Sequence, residues 1–373
     1  MNIYALLVRL FPQRPPPAAP RRIVLALPCC IGDVVLATAA LQALRRGCPQ
    51  AHIAWAVGSW SKGVLEGHPL LDTLLDTGPA ALPVRTPVGL ARFVRQLRSG
   101  QYDLLVSLVR SPLMSLAALL SGIPHRAGLD SAGRGFGYTV RVRLDPDRPR
   151  HEADIYLDVA RALGLDAAGC RANIPVQTAD QEAARARLAA LGIRPPFLVL
   201  NPAGGRNPGM ALAAKRWPPA HFAALAERLA RRLGAQPLLL AGPGDEAIVA
   251  AVQAHLSAPI PAIVGGLTFG QIAGLASLAQ VYIGNDTGLT HLAAAAGAPT
   301  VMIFGPSDPV RYAPFTDRSL ALWQPTAVPR GGVAAGAPPA WNWARDGIGV
   351  DEVEARVIAF LAANTHSGEI STG

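Results

Sequence analysis

Short apolar runs alternate with helical stretches along almost the whole chain, and the alternation runs through twice. In the first half, "IVLAL" (23–27) leads to a helical stretch from Asp33 to Arg46. "HIAWAV" (52–57), "DLLVSLV" (103–109) and "YTVRVRL" (138–144) follow, with helix-like segments at 87–98, 112–121 and 151–164. The pattern restarts after residue 176. A helical stretch at 180–192 precedes the strand "FLVLN" (197–201). Helices at 219–233, 245–255, 269–278 and 288–296 then alternate with "PLLLAG" (237–242), "AIV" (262–264), "VYIG" (281–284) and "TVMIF" (300–304). Such unbroken apolar runs suit parallel strands covered by helices on both faces. The expected class is α/β, with two Rossmann-like doubly wound parallel-sheet domains facing each other across a cleft between their carboxyl edges. The expected division is an N-terminal extension (1–20), two domains (21–175 and 176–348) and a C-terminal helix and tail (349–373). "PTAVPRGGVAAGAPPA" (325–340) reads as a surface loop.

The chain has 373 residues, half of them hydrophobic and 16% charged, which excludes disorder and permits large cores. Cys29, Cys30, Cys48 and Cys170 lack metal-ligand spacing, and adjacent cysteines are not a usual disulfide pair. With no secretory signal ahead of them, a reducing, cytoplasmic compartment is expected. The opening "MNIYALLVRLFPQRPPPAAPRR" has an apolar stretch of about ten residues containing Arg9, where a spanning helix needs roughly 20. It reads as a frayed extension before a proline-rich linker, or as a weak interfacial anchor.

Charge is lopsided. Residues 1–175 carry 20 Lys+Arg against 12 Asp+Glu, while residues 176–373 carry 14 against 13. A basic first half suits an anionic partner or peripheral contact with a membrane surface, or is simply a solvated face. Basic stripes interleaved with aromatics are absent, so nucleic acid is not an expected partner.

Three strand-to-helix corners offer chemistry, because such corners lie at the carboxyl edge and expose helix N-terminal amides. In "LPCCIGDVVLATAALQAL" (27–44), Gly32 permits close backbone approach, and Asp33 is either an N-cap or a general base. In "LNPAGGRNPGMALAAKRWPPAHFAAL" (200–225), Gly204 and Gly205 can form a backbone nest for phosphate. Lys215 and Lys62 are the only lysines among 34 basic residues, so Lys215 stands out as a compact ammonium suited to a diphosphate. Its removal is expected to weaken binding of such a ligand and leave the melting temperature nearly unchanged. In "GNDTGLTHLAAAAGAP" (284–299), Asp286 and Thr287 are placed to cap the helix that carries His291, though capping uses only one of these three groups. Glu246 in "AGPGDE" either compensates a helix dipole or accepts hydrogen bonds from ribose hydroxyls. "DPD" (145–147) reads as a turn rather than a metal-binding pair.

Taken together, "IGDVVLATAALQALRR", "KRWP", "GPGDE" and "NDTGLTHLAAAAGAPTVMIFGPSDP" resemble glycosyltransferase family 9, the lipopolysaccharide heptosyltransferases. The resemblance implies a GT-B fold, with an acceptor-binding first domain and a donor-binding second domain. It implies inverting, metal-independent transfer of a sugar, usually heptose from ADP-heptose, to a glycan or lipid acceptor, with no cofactor. Carried onto this chain, Asp33 is the base, Lys215 binds the donor phosphate and Glu246 holds the ribose. Asp286 binds hydroxyls of the transferred sugar, while the Thr287–Gly288 amides and His291 meet the diphosphate. Arg126 in "HRAGLD" also matches a family piece and, with Gly32, falls on the acceptor side. The chain has "LPCC" where the family often has a polar or basic stretch, and "AGGRNPG" where a serine or threonine is usual. Two other activities share these features: a non-catalytic sugar-nucleotide-binding protein and a nucleotide-sugar epimerase.

Overall fold

The structure, a computed structural model, describes residues 3–145, 148–208, 210–324 and 341–369. The chain divides into two compact units, Met1–Ala172 and Asn173–Gly373. Among the described residues of the first, six parallel strands form one sheet: β1 (Arg22–Ala26), β2 (His52–Val57), β3 (Thr73–Asp76), β4 (Leu104–Ser107), β5 (His125–Asp130) and β6 (Val140–Arg143). Their order is 3-2-1-4-5-6. The second unit repeats the order with β7 (Phe197–Asn201), β8 (Gln236–Ala241), β9 (Ala262–Val264), β10 (Val281–Asn285), β11 (Thr300–Ile303) and β12 (Ser319–Leu322). There β7 lies between β8 and β10, as β1 lies between β2 and β4. Strand order reverses direction at these two places, which makes them the switch points where open α/β sheets bind ligands.

The central strands are buried on both faces: Ile23, Val24, Leu25 and Ala26 have no exposed surface, nor do Phe197, Leu198, Val199 and Leu200. Helix starts follow local chemistry. Thr86 Oγ1 accepts from the Gly89 amide at 3.0 Å and opens the helix Pro87–Ser99. Thr268 and Gln271 cap the helix Phe269–Leu278 reciprocally. Buried Trp217 donates from its indole to the Ile348 carbonyl, and Val353 and Val357 enter the same core. The C-terminal helix, Val350–Glu369, packs into the core of the second unit through these residues.

Three strands were not legible. Thr73–Asp76 and Ser319–Leu322 are four-residue edge strands, and His125–Asp130 contains a glycine and three ionisable residues. The opening segment is not frayed. Residues Ile3–Leu10 form a helix whose Tyr4 ring stacks with Phe136 at 6.5 Å between centroids. Phe11 meets the same ring at 6.4 Å. The Arg141 guanidinium donates to the Val8 and Phe11 carbonyls, and the Arg14 amide donates to the Thr139 carbonyl at 2.9 Å.

Cys29 and Cys30 form a disulfide, contrary to expectation, where the chain turns sharply between β1 and the helix Ile31–Gly47. The pair therefore lends no support to a reducing compartment, while Cys48 and Cys170 are buried free thiols. No described helix is long and apolar enough to cross a membrane. Pro146 and Asp147 of "DPD", and the segment 325–340, lie outside the described residues. Among the described residues no three His, Cys, Asp or Glu side chains converge as metal ligands.

Candidate functional site

In the first unit, Gly32 and Asp33 fall in the first turn of the helix Ile31–Gly47, at the switch point beyond β1. The N-cap is Cys30 and Asp33 is the third helical residue, so of its two readings the N-cap one does not hold. Asp33 reaches back, and its Oδ2 accepts from the Cys30 amide at 3.4 Å. Its other oxygen accepts from the Tyr156 hydroxyl at 3.0 Å. Tyr156 stands one turn beyond Glu152 on the helix Glu152–Ala162. Glu152 is buried and pairs with Arg110, which follows β4, at 2.5 Å. Both strands that flank the switch point therefore contribute to one cluster.

The electrostatics of this cluster favour a base. Burial, then the charge of Glu152, push the Asp33 carboxyl above its ordinary value, against the pull of Tyr156, Cys30 and Arg110. Burial and the two neighbouring acids push the Tyr156 phenol well above its ordinary range, so it stays protonated and donates. Asp33 keeps part of its surface open. A carboxylate with raised proton affinity, on a residue that is not fully enclosed, is suited to take a proton from a hydroxyl. Arg126 is elsewhere. It sits near the start of β5, where its guanidinium donates to the Gly137 carbonyl at 2.7 Å and to the Ile123 carbonyl at 2.5 Å. It braces backbone at the amino end of the sheet, and the structure does not bring it to Asp33.

In the second unit, the loops after β7 and β10 meet. Gly204 and Gly205 have φ of +108° and +73°. A Cβ on Gly204 would lie 2.0 Å from the Thr287 side chain, so only glycine lets the two loops approach. Lys215 Nζ lies 2.6 Å from Asp286 Oδ2, with their side chains only 13% and 5% exposed. Of the two residues placed to cap the next helix, Thr287 takes the N-cap position and Asp286 forms a buried ion pair. Burial pushes its carboxyl up, but Lys215 and then His291 overcome this and hold it below the usual carboxylate range. Thr287 is the N-cap of the helix Gly288–Ala295, without a side-chain capping bond. Its hydroxyl lies 3.2 Å from that of Thr290. The first amides of a helix without such a capping bond can take an anion, and His291 is buried in its first turn.

Glu246 begins the helix after β8 and is exposed, its Oε1 accepting from the Gly244 amide at 3.2 Å. Its neighbour Asp245 is buried. Burial raises that carboxyl, opposed by Arg216 and Arg206 from the loop after β7, so the β7 and β8 corners are in electrostatic contact.

Sequence reasoning missed Tyr156, Glu152, Arg110, Asp245 and Asn285. Asn285, fully buried at the end of β10, holds the second corner together. Its Oδ1 accepts from the Trp217 amide at 2.9 Å, and its Nδ2 donates to the Pro202 carbonyl at 2.9 Å. A polar residue closing an apolar strand was the available signal. Glu152 and Tyr156, four apart on a helix, gave none that separates a buried polar face from a solvated one. A separate cavity in the first unit, of about 370 Å³ and lined by Pro20, Cys48 and Leu165, lies toward the opposite edge of the sheet.

Two doubly wound parallel-sheet domains, one with Asp33 at its switch point and the other with the Lys215–Asp286 pair at its own, have the architecture of GT-B glycosyltransferases. Residues 90–330 match the profile of glycosyltransferase family 9 (heptosyltransferase), and the chain belongs to that family. It is 23% identical to lipopolysaccharide heptosyltransferase 3 of Escherichia coli over 78% of this chain and 86% of the relative. The fold is similar to that of a family 9 glycosyltransferase from Veillonella parvula, with a TM-score of 0.78 and 24% identity over 92% and 98% of the two chains. It is also similar to the E. coli ADP-heptose lipopolysaccharide heptosyltransferase II, with a TM-score of 0.71 and 21% identity over 92% and 99%.

Proposed function

We propose that this protein is an inverting, metal-independent glycosyltransferase that moves heptose from ADP-heptose to an anionic glycan or glycolipid of the cell envelope, in lipopolysaccharide core biosynthesis. It works in the cytoplasm, in peripheral contact with the membrane. The observation that carries this reading is Asp33: a carboxylate at the switch point on a half-buried residue, oriented by Tyr156 and made more basic by burial and by Glu152. A module that only bound a sugar nucleotide would have no use for it.

In this reading the first domain binds the acceptor and the second the donor. Asp33 accepts the proton of the acceptor hydroxyl as that oxygen attacks the anomeric carbon. The bond from that carbon to the diphosphate breaks on the opposite face, inverting the configuration and releasing ADP. Charge grows on the leaving diphosphate, and groups aimed at developing charge contribute most to rate. Those groups are Lys215, the Gly204–Gly205 backbone, the Thr287–Gly288 amides and His291. Asp286 accepts from sugar hydroxyls with the oxygen not engaged by Lys215, and Glu246 accepts from the ribose. Gly32 lets the acceptor approach Asp33. The names of the relatives support heptose and lipopolysaccharide, and the excess of Lys and Arg in residues 1–175 suits an anionic acceptor.

The test is incubation with ADP-heptose and truncated lipopolysaccharide acceptors in EDTA, read by mass spectrometry. An acceptor heavier by one heptose, with release of ADP, is expected. ADP-heptose left intact with every acceptor, while still bound in calorimetry, would reduce the protein to a binding module. Activity lost in EDTA and restored by magnesium would end the metal-independent assignment.

A further inference from the structure

We propose that the outward face of the N-terminal helix Ile3–Leu10 is a docking surface for an anionic lipid bilayer. The inference rests on the envelope-glycan reading above and gives its membrane contact a location. Ile3, Leu6 and Leu10 are 66%, 44% and 62% exposed. Spaced three and four residues apart, they form a single stripe along one side of the helix. The opposite side is fastened to the domain: Tyr4 and Phe11 lie against Phe136, and Arg141 takes the carbonyls of Val8 and Phe11 at the helix end. The stripe is therefore held outward by the packing of the inner face and is not a product of fraying.

Exposed apolar side chains gathered in one stripe mark a contact surface, and the charge around this one selects the occupant. Arg9 lies in the helix and Arg14 shortly after it, and residues 1–20 contain no acid. Arg9 and Arg14 are exposed, as is Arg134, whose neighbour Gly133 abuts Tyr4 of the helix. Arg14 and Arg141 also lie close enough to Arg126 to lower its proton affinity, beyond what burial does. Apolar side chains flanked by arginines match the acyl boundary and headgroups of an anionic leaflet. A second copy meeting this face would bring like charges together, which disfavours self-association. An eight-residue helix is about 12 Å long, enough to lie in the interface and too short to cross it. The other large exposed apolar residues of the described chain point the same way: Trp60, Val88, Leu113 and Leu120 are in the first unit, and only Val310 is in the second.

The test is vesicle flotation of the full-length protein. Vesicles of phosphatidylethanolamine with phosphatidylglycerol are compared with vesicles of phosphatidylcholine alone, at low and high salt. The wild type should float with the anionic vesicles and be released by salt. The Ile3→Ser/Leu6→Ser/Leu10→Ser variant should keep its melting temperature and partition at least about tenfold more weakly. Arg9→Gln/Arg14→Gln should weaken partitioning several-fold and flatten its salt dependence. A triple variant that floats like the wild type, or a wild type that stays unbound or binds both vesicles equally, overturns the proposal. A wild-type dimer that the triple variant converts to monomer in light scattering also overturns it, in favour of self-association. Transfer to a water-soluble acceptor should be equal in wild type and triple variant. If neither transfers heptose, the functional reading fails while flotation still decides the docking face.

Discussion

Replacing Lys215 should damage folding as well as donor binding, which reverses the expectation drawn from sequence. The ammonium lies 2.6 Å from Asp286, and both side chains are largely withdrawn from water. In Lys215→Ala the Asp286 carboxylate stays buried without its counter-charge. Breaking a buried pair from one side costs about 3–5 kcal/mol, most of it the penalty of the stranded charge. Because the lysine keeps some exposure, the lower end applies. For a unit of this size about 3 kcal/mol corresponds to a fall of about 6–12 °C in the melting of the second domain. The pH dependence fixes the cause. In the wild type the Asp286 carboxyl is held below its ordinary range, so its stabilisation is present above the unfolded value and is lost as pH falls through the folded value. Without Lys215, burial dominates and the carboxyl prefers its proton. The gap between wild type and variant should then be widest near pH 7 and shrink toward about pH 4. Calorimetric melting of Lys215→Ala, Asp286→Asn and the double variant across that range reads the coupling, expected at about 2–3 kcal/mol. A Lys215→Ala protein that melts within about 1 °C of wild type near pH 7, with no coupling to Asp286, would refute this reasoning. Affinity for ADP should also fall, by about 2 kcal/mol, since a diphosphate shares the same ammonium.

The Asp33 cluster yields two further predictions. Asp33→Asn should lose about 10²–10⁴-fold in turnover while ADP still raises the melting temperature. Its own stability near pH 7 should be equal or higher, because a carboxyl whose proton affinity is raised in the fold opposes folding once ionised; near-normal turnover would move the base elsewhere. Glu152→Gln removes a charge that raises the Asp33 carboxyl, so the acidic limb of kcat/KM should shift to lower pH. Tyr156→Phe removes a bond that lowers it, so the limb should shift to higher pH. Shifts in the same direction, or none, would separate these residues from the base.

Alternating apolar and helical stretches carried the two-sheet architecture and the places of Asp33, Lys215 and Asp286, though not the strands Thr73–Asp76, His125–Asp130 and Ser319–Leu322. Short unbroken apolar runs such as "FLVLN", bounded by turn residues and alternating with helical stretches, suit strands buried on both faces, and the glycine-rich or acidic corners after such strands fall at the carboxyl edges of the sheets. Local periodicity carries that information. Which groups touch is decided by residues far apart in sequence, and only the tertiary structure brings them together. Lys215 and Asp286 are 71 residues apart, and Tyr156 and Asp33 are 123 apart. The same limit applies to the opening helix: its apolar residues were visible, but the hold of Phe136 and Arg141 on its inner face comes from β6 and the loop before it. Capping was one local reading of Asp33 and of Asp286. The structure adds a tyrosine hydroxyl to the Cys30 amide at Asp33 and gives Asp286 a buried ammonium, because a withdrawn carboxylate takes whichever donor the fold places within reach.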